Sequence, residues 1–110
     1  MGRSEISVTV MARALWNNVV IAESSHYEKL EGSVYFPPEA IRKEYFQQSE
    51  TRIISPWKGE AIYFNIVIDG AKNKDAAWHY PEPKEAAKNI KGYMTFSRVK
   101  GIVVEEESAS

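Results

Sequence analysis

The stretch Lys58-Gly59-Glu60-Ala61-Ile62-Tyr63-Phe64-Asn65-Ile66-Val67-Ile68-Asp69-Gly70 carries the cleanest two-residue alternation in the chain and ends on a turn dipeptide. Successive side chains of a strand point to opposite faces. Ile62, Phe64, Ile66 and Ile68 therefore share one face, and Ala61, Tyr63, Asn65 and Val67 the other. The first face is expected to be core. The second is mixed, with a lysine at its entrance and a tyrosine and an amide along it. It suits either the solvent side of a sheet or the wall of a pocket, and both readings stay open here.

Upstream, residues 5–15 alternate loosely, with Ile6, Val8 and Val10 on one face, and Trp16-Asn17-Asn18-Val19 reads as a hairpin tip because asparagine tolerates the positive φ of a two-residue turn. A return strand is expected from Val19 through Ala22, continuing past Glu23-Ser24-Ser25 to Tyr27 and Leu30, with Glu31-Gly32 as the next turn. Ser33-Val34-Tyr35-Phe36 is a short aromatic strand that Pro37-Pro38 stops, since proline offers no ladder donor. Pro38 suits a first helical turn and Ile41 and Tyr45 stand four apart, so residues 39–46 predict about two turns of helix capping one end of a sheet. Residues 47–51 read as a polar linker, Arg52-Ile53-Ile54 as a short strand and Ser55-Pro56-Trp57 as a bend.

Downstream of Asp69-Gly70, residues 71–75 read as a loop and 76–80 as a strand returning along the central one, with Ala76, Trp78 and Tyr80 opposite Ala77 and His79. Pro81-Glu82-Pro83 ends it, residues 84–89 predict a short helix, and Gly92 punctuates its end. Residues 93–96 and 102–104 are expected to pair with one another about Lys100-Gly101, and the acidic tail 105–110 to fray. Seven or eight short strands with two helical scraps predict an antiparallel all-β or β-dominated α+β fold in one domain over residues 1–110.

Composition narrows the function. In 110 residues, 44% are apolar and 26% charged, which is the balance of a globular domain. Fourteen basic against 15 acidic residues give a net charge of −1 with no basic run, so nucleic acid is not expected as a partner. The absence of cysteine removes disulfides, thiolate zinc sites and a thiol nucleophile. No apolar leader or membrane-length segment is visible, so the cytoplasm is the expected location and no membrane partner is expected. Two separated histidines do not make a metal site, and no cofactor is expected.

The strings Trp16-Asn17 through Ala22-Glu23-Ser24, Val34-Tyr35-Phe36-Pro37, Trp57-Lys58-Gly59-Glu60-Ala61-Ile62-Tyr63, Ala77-Trp78-His79-Tyr80-Pro81-Glu82-Pro83 and Gly92-Tyr93 occur in an order and spacing that resembles the domain-of-unknown-function family number 427, over roughly residues 10–104. The resemblance implies a compact domain similar to the β-tent, in which two antiparallel sheets meet at an angle, and no established activity. Just before Lys58 the chain departs from the family pattern: Ser55 and Trp57 stand where a cysteine and a tyrosine are usual, so chemistry built on that thiol is not available. A nucleotidyltransferase-like activity is sometimes associated with the family. It would need carboxylates holding magnesium beside a triphosphate, and the chain has neither a Gly-Ser leading to paired aspartates nor a glycine-rich phosphate loop.

Lys58 beside Gly59 suits a bound carboxylate or phosphate as well as it suits a surface turn. Tyr35, Tyr63, Trp78 and Tyr80 cluster at strand ends, where rings give a rigid wall and phenols orienting hydrogen bonds. Phe36 and Trp78 are expected to pack inward, and Tyr63 and Tyr80 to form the wall. His79 titrates near neutrality and stands at the edge of the set, but no catalytic group can be named. The expectation is a small-ligand domain binding an anion near Lys58, Tyr63, Trp78 and Tyr80, with Tyr35 and His79 peripheral. The alternative is a non-enzymatic module that pairs with another protein or with its own copy.

Overall fold

The computed structural model describes residues 9–109, so the alternation expected at Ile6 and Val8 lies outside the described residues. Among the described residues nine antiparallel strands form three sheets. Strands β1 (Thr9–Trp16), β2 (Val19–Ser24) and β9 (Val103–Ala109) make a sheet in the order β2-β1-β9. A small ladder joins β3 (Glu28–Leu30) to β4 (Ser33–Tyr35). The third sheet runs β5-β6-β7-β8, from β5 (Phe46–Ser55), β6 (Gly59–Ile68), β7 (Ala71–His79) and β8 (Met94–Phe96).

The tight turns follow from local chemistry. Asn17-Asn18, Glu31-Gly32 and Asp69-Gly70 each hold positive φ at both central residues, at 52° and 65°, 54° and 80°, and 50° and 82°. That is the primed turn whose twist matches a right-handed hairpin. At Asp69-Gly70 it leaves a two-residue connection, with Ile68 opposite Ala71, so the expected loop over 71–75 is strand instead. Residues 47–51, expected as a linker, are also strand. They read as polar because β5 is an edge strand on which Gln47, Gln48 and Glu50 face water while Ser49 and Thr51 turn into the bulge, so no apolar period is required.

The expected helix over 39–46 is two separate 3₁₀ turns, Pro38–Ala40 and Lys43–Tyr45. Between them Ile41 is extended and bridges Ala22, and the Arg42 amide donates to the Ile21 carbonyl at 2.9 Å. Pairing with β2 outweighs the weak helical pattern. Residues 84–89 likewise form a kinked 3₁₀ segment, Glu85–Ile90.

β2 stops at Ser24, whose hydroxyl accepts the His26 amide at 2.9 Å and donates to the His26 carbonyl at 2.7 Å, so Tyr27 and Leu30 do not continue it. The strands over 93–96 and 102–104 are not partners: β8 pairs with β7, and β9 with β1. A 3₁₀ turn at Arg98–Lys100 and left-handed Gly101 carry the chain from one sheet to the other. The tail expected to fray is strand as far as Ala109. Its acids answer bases on β1 and on β3 of the small ladder, with Arg13 bonded to Glu107 at 3.0 Å and Lys29 to Glu106 at 3.1 Å.

The main core gathers Ala12, Ala14, Ile21 and Ala22 from the three-stranded sheet and Ile66, Ala76, Ala77 and Phe96 from the four-stranded sheet. Phe36 sits between them with no exposed surface, edge-on to Phe96 at 5.7 Å, and bridges Met94 through two backbone bonds of 2.8 Å. Burial of such a ring contributes roughly 2–3 kcal/mol.

The mixed face of β6 has a structural explanation. Both neighbouring strands bulge against it: residues 49–51 lie between the Gln48–Phe64 and Arg52–Ile62 pairs, and 74–76 between Phe64–Ala77 and Ile66–Asn73. The bulges are clasped across β6, because the Thr51 hydroxyl donates to the Asp75 carboxylate at 2.7 Å and the Asp75 amide donates to Asn65 Oδ1 at 2.9 Å. Asn65 is therefore buried, as the partner of a positive-φ residue. The bulges also divide the expected core face: Ile66 and Ile68 are buried, whereas Ile62 and Phe64 stay half-exposed.

Candidate functional site

Five of the six residues singled out in the sequence lie together, on the Lys58 side of the four-stranded sheet. Ser55 pairs with Gly59, and between them the Lys58 amide donates to Ser55 Oγ at 3.2 Å. Gly59 has φ of 110°, and a Cβ there would meet the Glu82 carbonyl at 3.2 Å, so glycine admits the segment after Pro81 against this turn. The Lys84 amide then bonds the Lys58 carbonyl at 2.9 Å.

The Lys58 ammonium is engaged by its own chain. It donates to Glu31 Oε1 at 2.7 Å and stands 5.2 Å from the Trp57 ring centroid and 5.8 Å from that of Tyr80. Glu31 reaches it from the β3–β4 turn, so the ion pair straps that hairpin to the β5–β6 turn. Around it, Tyr35 and Tyr80 are 2% and 5% exposed, and Tyr63 stacks on Trp78 at 5.3 Å. Tyr80, expected as wall, packs in this second cluster with Ala87 and Ile90, whereas Trp78, expected inside, is half-buried. Burial pushes the Tyr35 phenol far above its ordinary value, and negative charge on Tyr80, Glu31 or Tyr63 would push it further, so it stays protonated at neutral pH. Burial likewise raises Tyr63, with Tyr80 and Asp75 adding to the shift.

The sixth residue, His79, points away from this group. It lines a groove of 640 Å³ on the opposite face of the sheet. His79 lies opposite Ile62 on β6 and Met94 on β8, and its ring meets Phe64 edge-on at 4.9 Å. Phe46 at the start of β5 and Met94 extend the floor. Pro38, Ile41, Pro81 and Gly92 complete the lining, with the Pro38 ring beside Gly92, where an added Cβ would lie 3.7 Å from it. The extended backbone at Ile41, held by β2, positions one part of this lining. Pro81, Lys91 and Gly92 are positioned by the Tyr80–Lys91 bridge and by the Gly92 amide, which donates to the Tyr80 carbonyl at 3.0 Å.

Burial lowers the His79 pKa from its ordinary 6.5, so the imidazole is neutral at pH 7, with one nitrogen able to donate and the other to accept. Among the described residues its ring nitrogens make no hydrogen bond within the protein. Among the described residues the only charged ones in the groove lining are the exposed Lys43 and Lys91. The groove can therefore enclose an apolar body and offer it one neutral hydrogen-bonding group and positive charge at the edge.

Sequence reasoning named His79 but missed Phe46, Phe64, Lys43 and Lys91 as its companions. Phe46 and Lys43 were hidden by the helix reading of their segment, and Phe64 by its place in the inward series of β6. The usable signal was a pair of proline stops, Pro37-Pro38 and Pro81, with Lys43 and Lys91 each within about ten residues downstream. Among the described residues no three histidine or acidic side chains gather to hold a metal ion, and no helix is long and apolar enough to cross a membrane.

Fold and groove together define a β-dominated domain of paired antiparallel sheets with an apolar recess on one face of the larger sheet. Residues 5–105 match the family described as Domain of unknown function (DUF427), and the chain belongs to that family. No curated protein matches the chain.

Proposed function

We propose that this domain binds a small molecule and that the groove at His79 is its binding site. The observation that carries the reading is a recess of 640 Å³ with mostly apolar lining, which includes a neutral imidazole that has no hydrogen-bond partner among the described residues. Recesses of about 300–1,000 Å³ with apolar walls and a few polar groups are the usual form of small-ligand sites. The lysine-tyrosine cluster supports the reading less well, because Glu31 neutralises Lys58 and two of its three tyrosines are buried.

The test is a thermal-shift screen of a broad metabolite panel on the wild type and on Phe64→Trp, which fills the groove floor. A ligand at ten times its Kd stabilises the native state by about 1.4 kcal/mol. Hits on the wild type that vanish in Phe64→Trp are expected, with the variant keeping a cooperative melt. Hits unchanged in Phe64→Trp but lost in Lys58→Met would move the site to the lysine-tyrosine cluster.

A second reading is favoured by one observation. The edge strand β5 exposes Ile53 and Ile54, at 52% and 72%, and an unpaired edge bearing apolar residues is a place for another strand to add. Sedimentation at rising concentration tests it: a monomer throughout would dismiss self-pairing.

A further inference from the structure

Resting on the groove reading above, we infer that its ligand is an amphipathic carboxylate, a ring or short hydrocarbon body bearing one acidic group. Three features converge on that chemistry. The floor is aromatic, with Phe46 and Phe64, and the Phe64 ring is already edge-on to His79, which suits a flat apolar body. Both charged residues of the lining are lysines, Lys43 and Lys91, on separate 3₁₀-flanked segments, and neither forms an ion pair among the described residues. The groove has no carboxylate in its lining, so a cationic ligand would find no counter-charge there. His79 is half-buried and uncharged near neutral pH, so it bonds a polar atom on the ligand body and leaves the acidic group to the lysines.

The arrangement separates ligands by charge sign at constant shape. An anionic head gains from two cations, a neutral amide gains little, and an ammonium is repelled. Exposed ion pairs contribute modestly, so a preference of about tenfold for the carboxylate over the amide is expected from the two lysines together, and it should shrink as salt is raised.

The experiment uses three probes of one shape, 2-naphthoate, 2-naphthamide and 2-naphthylmethylamine, titrated into the full chain carrying methyl-labelled methionine. Met94 lines the groove, so its methyl signal reports both site and affinity. The expected result is naphthoate tighter than naphthamide and naphthamide tighter than the amine. Lys43→Gln with Lys91→Gln should bring the first two within about twofold. Equal affinities on the wild type would overturn the carboxylate assignment while leaving the groove as a site. A preference that survives the double substitution would overturn the role of the lysines. If no probe moves Met94, the groove reading itself fails.

Discussion

The clasp across the central strand offers the sharpest quantitative test of how this sheet is built. Thr51→Val keeps the side-chain shape and deletes the hydroxyl that donates to Asp75 at 2.7 Å. Among the described residues the other carboxylate oxygen is buried without a hydrogen-bond partner, so the substitution leaves the ionised side chain to the weaker, longer approach of the Ser49 hydroxyl. Hydrogen bonds to charged groups are worth about 1.5–3 kcal/mol, and partial exposure of Asp75 places the expected loss near the lower end, about 1.5 kcal/mol. At roughly 4 °C per kcal/mol for a domain of this size, the melting temperature should fall by about 6 °C.

Asp75→Asn, which tolerates the positive φ at this position, completes a double-mutant cycle with an expected coupling of about 1 kcal/mol. Desolvation opposes ionisation of Asp75, but the Ser49 and Thr51 hydroxyls and the charges of Lys74 and Lys100 outweigh it and hold its pKa below 3.8. A depressed carboxylate stabilises the fold above its unfolded value and loses that contribution as pH falls through the folded value. The difference between wild type and Thr51→Val should accordingly close in strong acid. Chemical denaturation at pH 7 and at low pH reads all of this. A loss under 0.5 kcal/mol at pH 7, or strict additivity of the two substitutions, would refute the clasp.

Other consequences follow from single contacts. Gly59→Ala must place a Cβ 3.2 Å from the Glu82 carbonyl at a φ of 110°, and should cost about 2 kcal/mol by equilibrium denaturation. Glu31→Gln removes a partly exposed ion pair and should cost under about 1 kcal/mol in the same assay, leaving ligand affinity at the groove unchanged. His79 has a folded pKa below 6.5, so the unfolded chain binds more protons just below that pH and stability falls as pH drops from 7 towards 5.5. His79→Gln should flatten that decline in a series of denaturation curves.

What could be read from the residues alone was whatever neighbours in sequence decide. Asn17-Asn18, Glu31-Gly32 and Asp69-Gly70 announce their turns because positive φ is a local demand, and β6 announces itself by alternation. β5 was obscure between Gln47 and Thr51 because an edge strand facing water needs no apolar period. β9 was obscure because its acids become strand only when Arg13, Tyr27 and Lys29 arrive from the other end of the chain. Ile41 is extended because β2 pairs with it, a contact across about twenty residues that overrides a plausible helical stripe. The same limit governs the candidate site. Lys58 looked like a free cation because Glu31, 27 residues away, is invisible to local reading. His79 looked isolated because Phe46, Phe64 and Lys91 meet it only once the sheet has formed.

The most direct test of the groove as the binding site is a two-reporter NMR titration of the first screening hit against the full chain. The Met94 methyl reports the groove, and the Trp57 and Trp78 indole N–H signals report the face that holds Lys58. The predicted result is a saturable shift of Met94 with both indoles unmoved, and a saturable shift of the indoles with Met94 still would contradict it.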